Sequence, residues 1–178
     1  MNYQSIDKSK QKELTDLFTS VFTSSEGEKE GVLIGNLSSK LASSIDNEET
    51  ICFGVYESGL LIASIFFTRL KFNHPIQVYM LAPVAVSTEY QGKGIGQALI
   101  NYGLNELKKR SATVAVTYGD PLFYSKVGFQ TLSENVIQAP QKLSMPFGWL
   151  GQSLTVEPIP TINERPVCVN EFNDPTYW

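Results

Sequence analysis

The stretch Val84-Ala85-Val86-Ser87-Thr88-Glu89-Tyr90-Gln91-Gly92-Lys93-Gly94-Ile95-Gly96 carries the most chemistry in the chain. An apolar strand runs into a glycine-rich loop, and the loop opens directly into a helix. That arrangement aims several backbone N–H groups and the positive end of a helix dipole at one point, which suits an anion. Glycine lets the backbone approach phosphate oxygens with no Cβ in the way. The glycines at 92, 94 and 96 follow a G-x-G-x-G spacing, whereas the dinucleotide fingerprint is G-x-G-x-x-G with an acidic residue on a later strand end. A Walker loop needs Ser or Thr after its lysine, and here Gly94 follows Lys93. The alternative is a tight strand-to-helix connection whose glycines only relieve crowding. Three alternate glycines ahead of so regular a helix favour anion binding.

The other reactive side chains offer less. Cys52 lies in an apolar strand-like run and reads as a buried, inert thiol, and Cys168 is far away with no metal-ligand spacing. The single histidine, His74, precedes Pro75 in a loop, so a Ser-His-Asp or Cys-His mechanism lacks partners.

The elements that must position the loop follow from apolar periodicity. Leu14, Leu17, Phe18, Val21 and Phe22 predict an amphipathic helix over 8–22, and Leu33, Leu37 and Leu41 a second over 28–44, with Gly31 and Gly35 weakening that pattern. Strands are expected at 50–56, 60–70 and 76–86, forming an antiparallel meander around the Ser58-Gly59 turn and the Asn73-His74-Pro75 break. The helix over 94–109 should turn Ile95, Ala98, Leu99 and Tyr102 to a sheet, with Gln97, Asn101, Asn105 and Lys108 outward and Glu106 dissonant. A short strand at 113–117 completes a right-handed parallel crossover, and a short helix over 121–127 starts on Pro121. Beyond Gly128, segments 130–138 and 152–157 can each supply a strand, followed by loop and an aromatic tail.

At 178 residues, with 42% hydrophobic and 18% charged residues, the composition fits one soluble α/β domain. No apolar run approaches the ~20 residues a membrane span requires, and the polar start from Met1 to Lys12 has no signal-peptide core. The expected location is therefore cytoplasmic by default, with no membrane partner. A net charge of −4 argues against a nucleic-acid partner and tolerates a cationic substrate. A homodimer leaves no readable signature.

Gln91-Gly92-Lys93-Gly94-Ile95-Gly96 resembles the Q/R-x-x-G-x-G/A pyrophosphate signature of the GNAT family, the GCN5-related N-acetyltransferases. Leu81-Ala82-Pro83-Val84-Ala85-Val86 is similar to that family's fourth strand. Gly119-Asp120-Pro121 through Tyr124 to Gly128-Phe129 is similar to its last core helix and exit. The resemblance covers roughly residues 3–157. It implies an α/β GNAT fold: a mixed, mostly antiparallel sheet, helices on both faces, and a splay between the fourth and fifth strands where Pro83 removes a ladder donor. A domain over 1–157 with an aromatic tail at 158–178 packed on it is the expected organisation.

The resemblance further implies acetyl-CoA as co-substrate, no metal, and direct attack of an unprotonated amine on the thioester. Gln91, Gly92, Lys93, Gly94, Ile95, Gly96 and Gln97 would hold the pyrophosphate. Val84, Ala85 and Val86 would present main chain to the pantetheine, with an N–H near Val84 for the thioester oxygen. Tyr124 aligns with the family's general acid, although a helix tyrosine that merely packs on the sheet is the alternative. Glu26, Glu48, Glu49 and Glu89 are candidate bases without a choice between them. Phe147, Trp149, Tyr177 and Trp178 read as a covering flap before they read as an acceptor wall. The expected acceptor is a small-molecule amine rather than a protein. An acyl-CoA sensor without turnover, and a nucleotide-binding or phosphotransfer domain using the same loop, are the competing functions.

Overall fold

In the computed structural model, which describes residues 1–178, strands form where β-branched and aromatic residues cluster, and helices where apolar residues recur every three to four positions. The elements are β1 (Asn2–Ser5), α1 (Gln11–Glu26), α2 (Glu28–Ser43), β2 (Thr50–Glu57), β3 (Leu60–Leu70), β4 (Val78–Val86), α3 (Ile95–Lys109), β5 (Val114–Tyr118), α4 (Pro121–Tyr124), β6 (Gln130–Thr131) and β7 (Trp149–Ser153). One seven-stranded sheet runs in the order β1-β2-β3-β4-β5-β7-β6. Only β4 and β5 pair in parallel, joined by the α3 crossover, so the sheet is mixed and mostly antiparallel. The chain divides into two compact units, residues 1–67 with 83–103 and residues 68–82 with 104–178.

In the first unit, Phe66 and Phe67 of β3 point to opposite faces of the sheet, as strand geometry requires. Phe18 of α1 meets Phe66 with ring centroids 5.7 Å apart. Gly103 of α3 lies against Phe67, where an added Cβ would stand 2.4 Å from Cε2. Helices therefore cover both faces. The buried stripe of α3 comprises Ile95, Leu99, Ile100, Gly103, Leu104 and Leu107. Ala98, expected to face the sheet, is exposed, and the dissonant Glu106 is resolved by ion pairs to Lys109 (2.6 Å) and Arg110 (3.5 Å).

Gly31 and Gly35, which weaken the helix by propensity, are the contact surface of α2. A Cβ on Gly31 would lie 2.9 Å from the Thr23 Cα of α1, and one on Gly35 would lie 2.0 Å from Thr19 Oγ1. Gly31→Val should overpack this seam against backbone and cost about 2–3 kcal/mol. A thermal melt would show it as a drop in Tm of roughly 4–12 °C.

In the second unit, the register of β4 with β5 runs from Val78↔Val114 to Leu81↔Thr117 and stops. β4 itself continues to Val86, so Ala82–Val86 has no partner on β5, and Pro83 follows two residues after the last paired position. The segment expected as a strand over 130–138 reduces to β6, with Ile137 bridging Ile162 in parallel. The strand expected at 152–157 lies three residues earlier, as β7, pairing Trp149 with Tyr118.

Candidate functional site

The loop owes its shape to two glycines that no other residue type replaces without strain. Gly92 and Gly94 have φ of +72° and +77°, and nothing lies within 4 Å of where a Cβ would stand on either. Before them, Thr88–Tyr90 makes a single 3-10 turn, with the Tyr90 N–H donating to the Ser87 carbonyl at 2.8 Å. Gln91 folds back so that its Nε2 donates to the Val86 carbonyl at 2.9 Å, and the Lys93 ammonium donates to the Glu89 carbonyl at 3.1 Å. The Lys93 ammonium also lies 5.1 Å from the centroid of the Tyr90 ring.

The helix that follows is anchored by buried Ile95. Its first closing bond runs from the Ala98 N–H to the Gly94 carbonyl, 3.0 Å. The N–H groups of Ile95, Gly96 and Gln97 therefore have no acceptor inside the helix. Gly92, Lys93 and Gly94 are exposed and nothing crowds a Cβ at Gly92 or Gly94, so these donors and the positive helix end are placed to receive an anion such as a diphosphate. The residues present fit that group. Upstream, Ala85 is buried while Val84 and Val86 are half-buried on the segment of β4 beyond its pairing with β5.

Tyr124 belongs to the second unit, at the end of α4. Asp120 caps this short helix, its Oδ1 accepting from the Leu122 N–H at 2.9 Å, and Pro121 occupies the first turn. The Tyr124 ring packs edge-on against Phe123 (5.0 Å) and Phe129 (5.7 Å). It also lies against Gly119, where a Cβ would come within 2.7 Å of Cε2. Burial first, and then the Asp120 carboxylate, push the phenol pKa up, while a hydrogen bond with the Thr117 hydroxyl pulls it back. Thr117 escaped the reading of residues. It is fully buried, its Oγ1 donates to the Leu81 carbonyl at 2.8 Å, and it thereby ties Tyr124 to the last paired position of β4. The signal was present only as a polar residue in an apolar strand.

Among the candidate bases, Glu26, Glu48 and Glu89 are exposed and Glu49 is half-buried. Cys52 is buried with its thiol pushed up to about 12 by desolvation, against a weaker opposing bond from Ser64, which removes it as a nucleophile. No group of His, Cys, Asp and Glu is placed to hold a metal ion. No helix is long and apolar enough to cross a membrane.

Comparison with known proteins finds likeness to one family over part of the chain. Residues 48–131 match the family model described as the acetyltransferase (GNAT) domain. Over 107 residues the chain is 31% identical to the uncharacterized N-acetyltransferase YjhQ of Escherichia coli K12, covering 57% of this chain and 59% of YjhQ. The chain thus spans about three fifths of the length of that curated relative. The crystal structure of the GNAT-family N-acetyltransferase YhbS from Escherichia coli in complex with CoA superimposes with a TM-score of 0.71 at 21% identity, covering 86% of this chain and 81% of that one. A GNAT-family acetyltransferase from Brucella melitensis in complex with acetyl-CoA gives 0.66 at 20% identity, covering 94% and 93%. Identities this low show the shared fold. The matched segment, a little under half of the chain, contains the glycine-rich loop, the end of β4 that lacks a β5 partner and Tyr124, and it is this segment that is similar to the GNAT acetyltransferase domain.

Proposed function

We propose that the protein transfers an acetyl group from acetyl-CoA to a small-molecule primary amine, with residues 1–157 as its catalytic domain and 158–178 part of the same functional unit. The observation that carries this reading is the loop at 91–97, whose positive-φ glycines leave a fan of N–H groups at the mouth of α3. Gln91 to Gln97 grip the diphosphate. Val84 and Val86 bond the pantetheine through their main chain, Ala85 anchors that stretch in the core, and the Val84 N–H steadies the oxyanion that forms on the thioester oxygen. The amine lone pair attacks the carbonyl carbon, the C–N bond forms, and the C–S bond breaks with its electron pair leaving on sulfur. Tyr124 protonates that thiolate, and the proton released by the new amide nitrogen balances the one donated.

The pH profile follows from the two groups that must hold opposite proton states. An alkylamine must lose its proton, so kcat/KM rises with pH towards about 10. The acid must keep its proton, and the raised pKa of Tyr124 extends that range upward, so no descending limb is expected below about pH 10. The test is calorimetric titration with CoA and acetyl-CoA, followed by thiol release from acetyl-CoA across an amine panel as pH is varied. Coenzyme binding without thiol release identifies a sensor. No association at millimolar coenzyme overturns the reading.

A further inference from the structure

The end of the chain lines an open cleft of about 530 Å³ within the second unit. One wall is rigid. The Tyr118 ring stacks on Trp178 at 6.1 Å and 17°, and its hydroxyl is held by the Met145 N–H (2.7 Å) and the Ser144 Oγ (3.0 Å). The Trp178 indole N–H donates to the Phe172 carbonyl at 2.9 Å and the residue is buried, so its ring is fixed in place. Tyr177, Phe147 and Met145 line the rest. Phe147 and Met145 are 61% and 53% exposed, large apolar side chains that folding leaves open to solvent beside the cavity.

The charge of the lining is one-sided. Asp120 supplies its only side-chain carboxylate and no lysine or arginine contributes. The Asp120 Oδ1 accepts the Leu122 N–H, which orients the carboxylate. Four aromatic rings beside one carboxylate favour a cation carried on an apolar body, because ring faces attract ammonium groups and the carboxylate pairs with them. An acid of the same shape meets only repulsion. The Gly119–Asp120 wall is also the backbone against which the Tyr124 ring packs, since the Tyr124 N–H donates to the Asp120 carbonyl at 3.1 Å.

We infer that this cavity binds the amine acceptor, and that the acceptor is an arylalkylamine whose ring sits among Tyr118, Phe147, Tyr177 and Trp178 with its amino group towards Asp120. Its role as acceptor rests on the acetyltransferase reading; its binding does not.

The test is calorimetry on the full chain with three probes: 2-phenylethylamine, butylamine, which lacks the ring, and 3-phenylpropionate, which inverts the charge. 2-Phenylethylamine should bind about 10-fold more tightly than either of the others. Phe147→Ala removes an exposed ring, and Asp120→Asn keeps a side chain that can still cap the helix. Each should weaken 2-phenylethylamine by about 5–10-fold. Equal binding of the three probes, no binding of the aryl amine, or an unchanged affinity in Phe147→Ala overturns the inference. A parallel acetyl-CoA titration separates the two readings. Coenzyme binding without aryl-amine preference removes the cavity assignment alone, and aryl-amine binding without coenzyme binding removes the acetyltransferase assignment alone.

Discussion

Gly94→Val is expected to weaken CoA binding by about 100-fold while the protein stays folded. Gly94 has a φ of +77°, a conformation that costs an ordinary L-residue about 1–2 kcal/mol and a β-branched one more. The loop can escape that strain only by rotating the peptide, which turns the N–H groups ahead of α3 away from the diphosphate. Because Gly94 is exposed and an added Cβ meets nothing, the melting temperature should fall by only about 2–8 °C. Gly94→Ala should lie between wild type and valine. Calorimetry with CoA checks both. An affinity unchanged in folded Gly94→Val would move the coenzyme's phosphates elsewhere.

Tyr124→Phe is expected to lower kcat by about 100-fold or less and to leave the Kd for acetyl-CoA unchanged. The substitution keeps the ring, and with it the edge-on contacts to Phe123 and Phe129 and the packing against Gly119. What it removes is the hydroxyl bonded to Thr117 and its proton. The split between turnover and affinity distinguishes an acid from a packing tyrosine, since loss of packing would move both. Single-turnover thiol release isolates the chemical step, and turnover unchanged there would remove Tyr124 from the mechanism.

Local chemistry explains which features were legible in the sequence. The loop was, because φ-demanding glycines and a helix start are written within a dozen consecutive residues. Leu60–Leu70 was legible to the residue, since the Ser58-Gly59 turn and the Asn73-His74-Pro75 break bracket a run rich in Ile and Phe. β1 was not. Asn2, Gln4 and Ser5 are exposed and the strand is held by backbone pairing to β2, so no alternation marks it. Gly31 and Gly35 count against a helix in isolation and serve a neighbouring one in the fold. β7 was displaced because Trp149 read as part of an aromatic flap. It is instead fully buried, its indole N–H donating to the Ile137 carbonyl at 3.0 Å. The aromatic cavity joins residues near 118, 147 and 178, and no short-range pattern records a meeting between positions so distant.

Both indoles of this chain stand in one cluster, Trp149 and Trp178 with ring centroids 6.3 Å apart, and both lie in the second unit. Intrinsic tryptophan emission is consequently a local reporter: it follows the surroundings of β7 and the carboxy-terminal aromatic cluster and is blind to the helical hairpin of α1 and α2. Residues 1–67 and 83–103 contribute phenylalanine and tyrosine only. A fluorescence melt therefore watches the second unit alone while a far-ultraviolet circular-dichroism melt sums over the helices and strands of both, and their coincidence or separation measures whether the two units unfold as one.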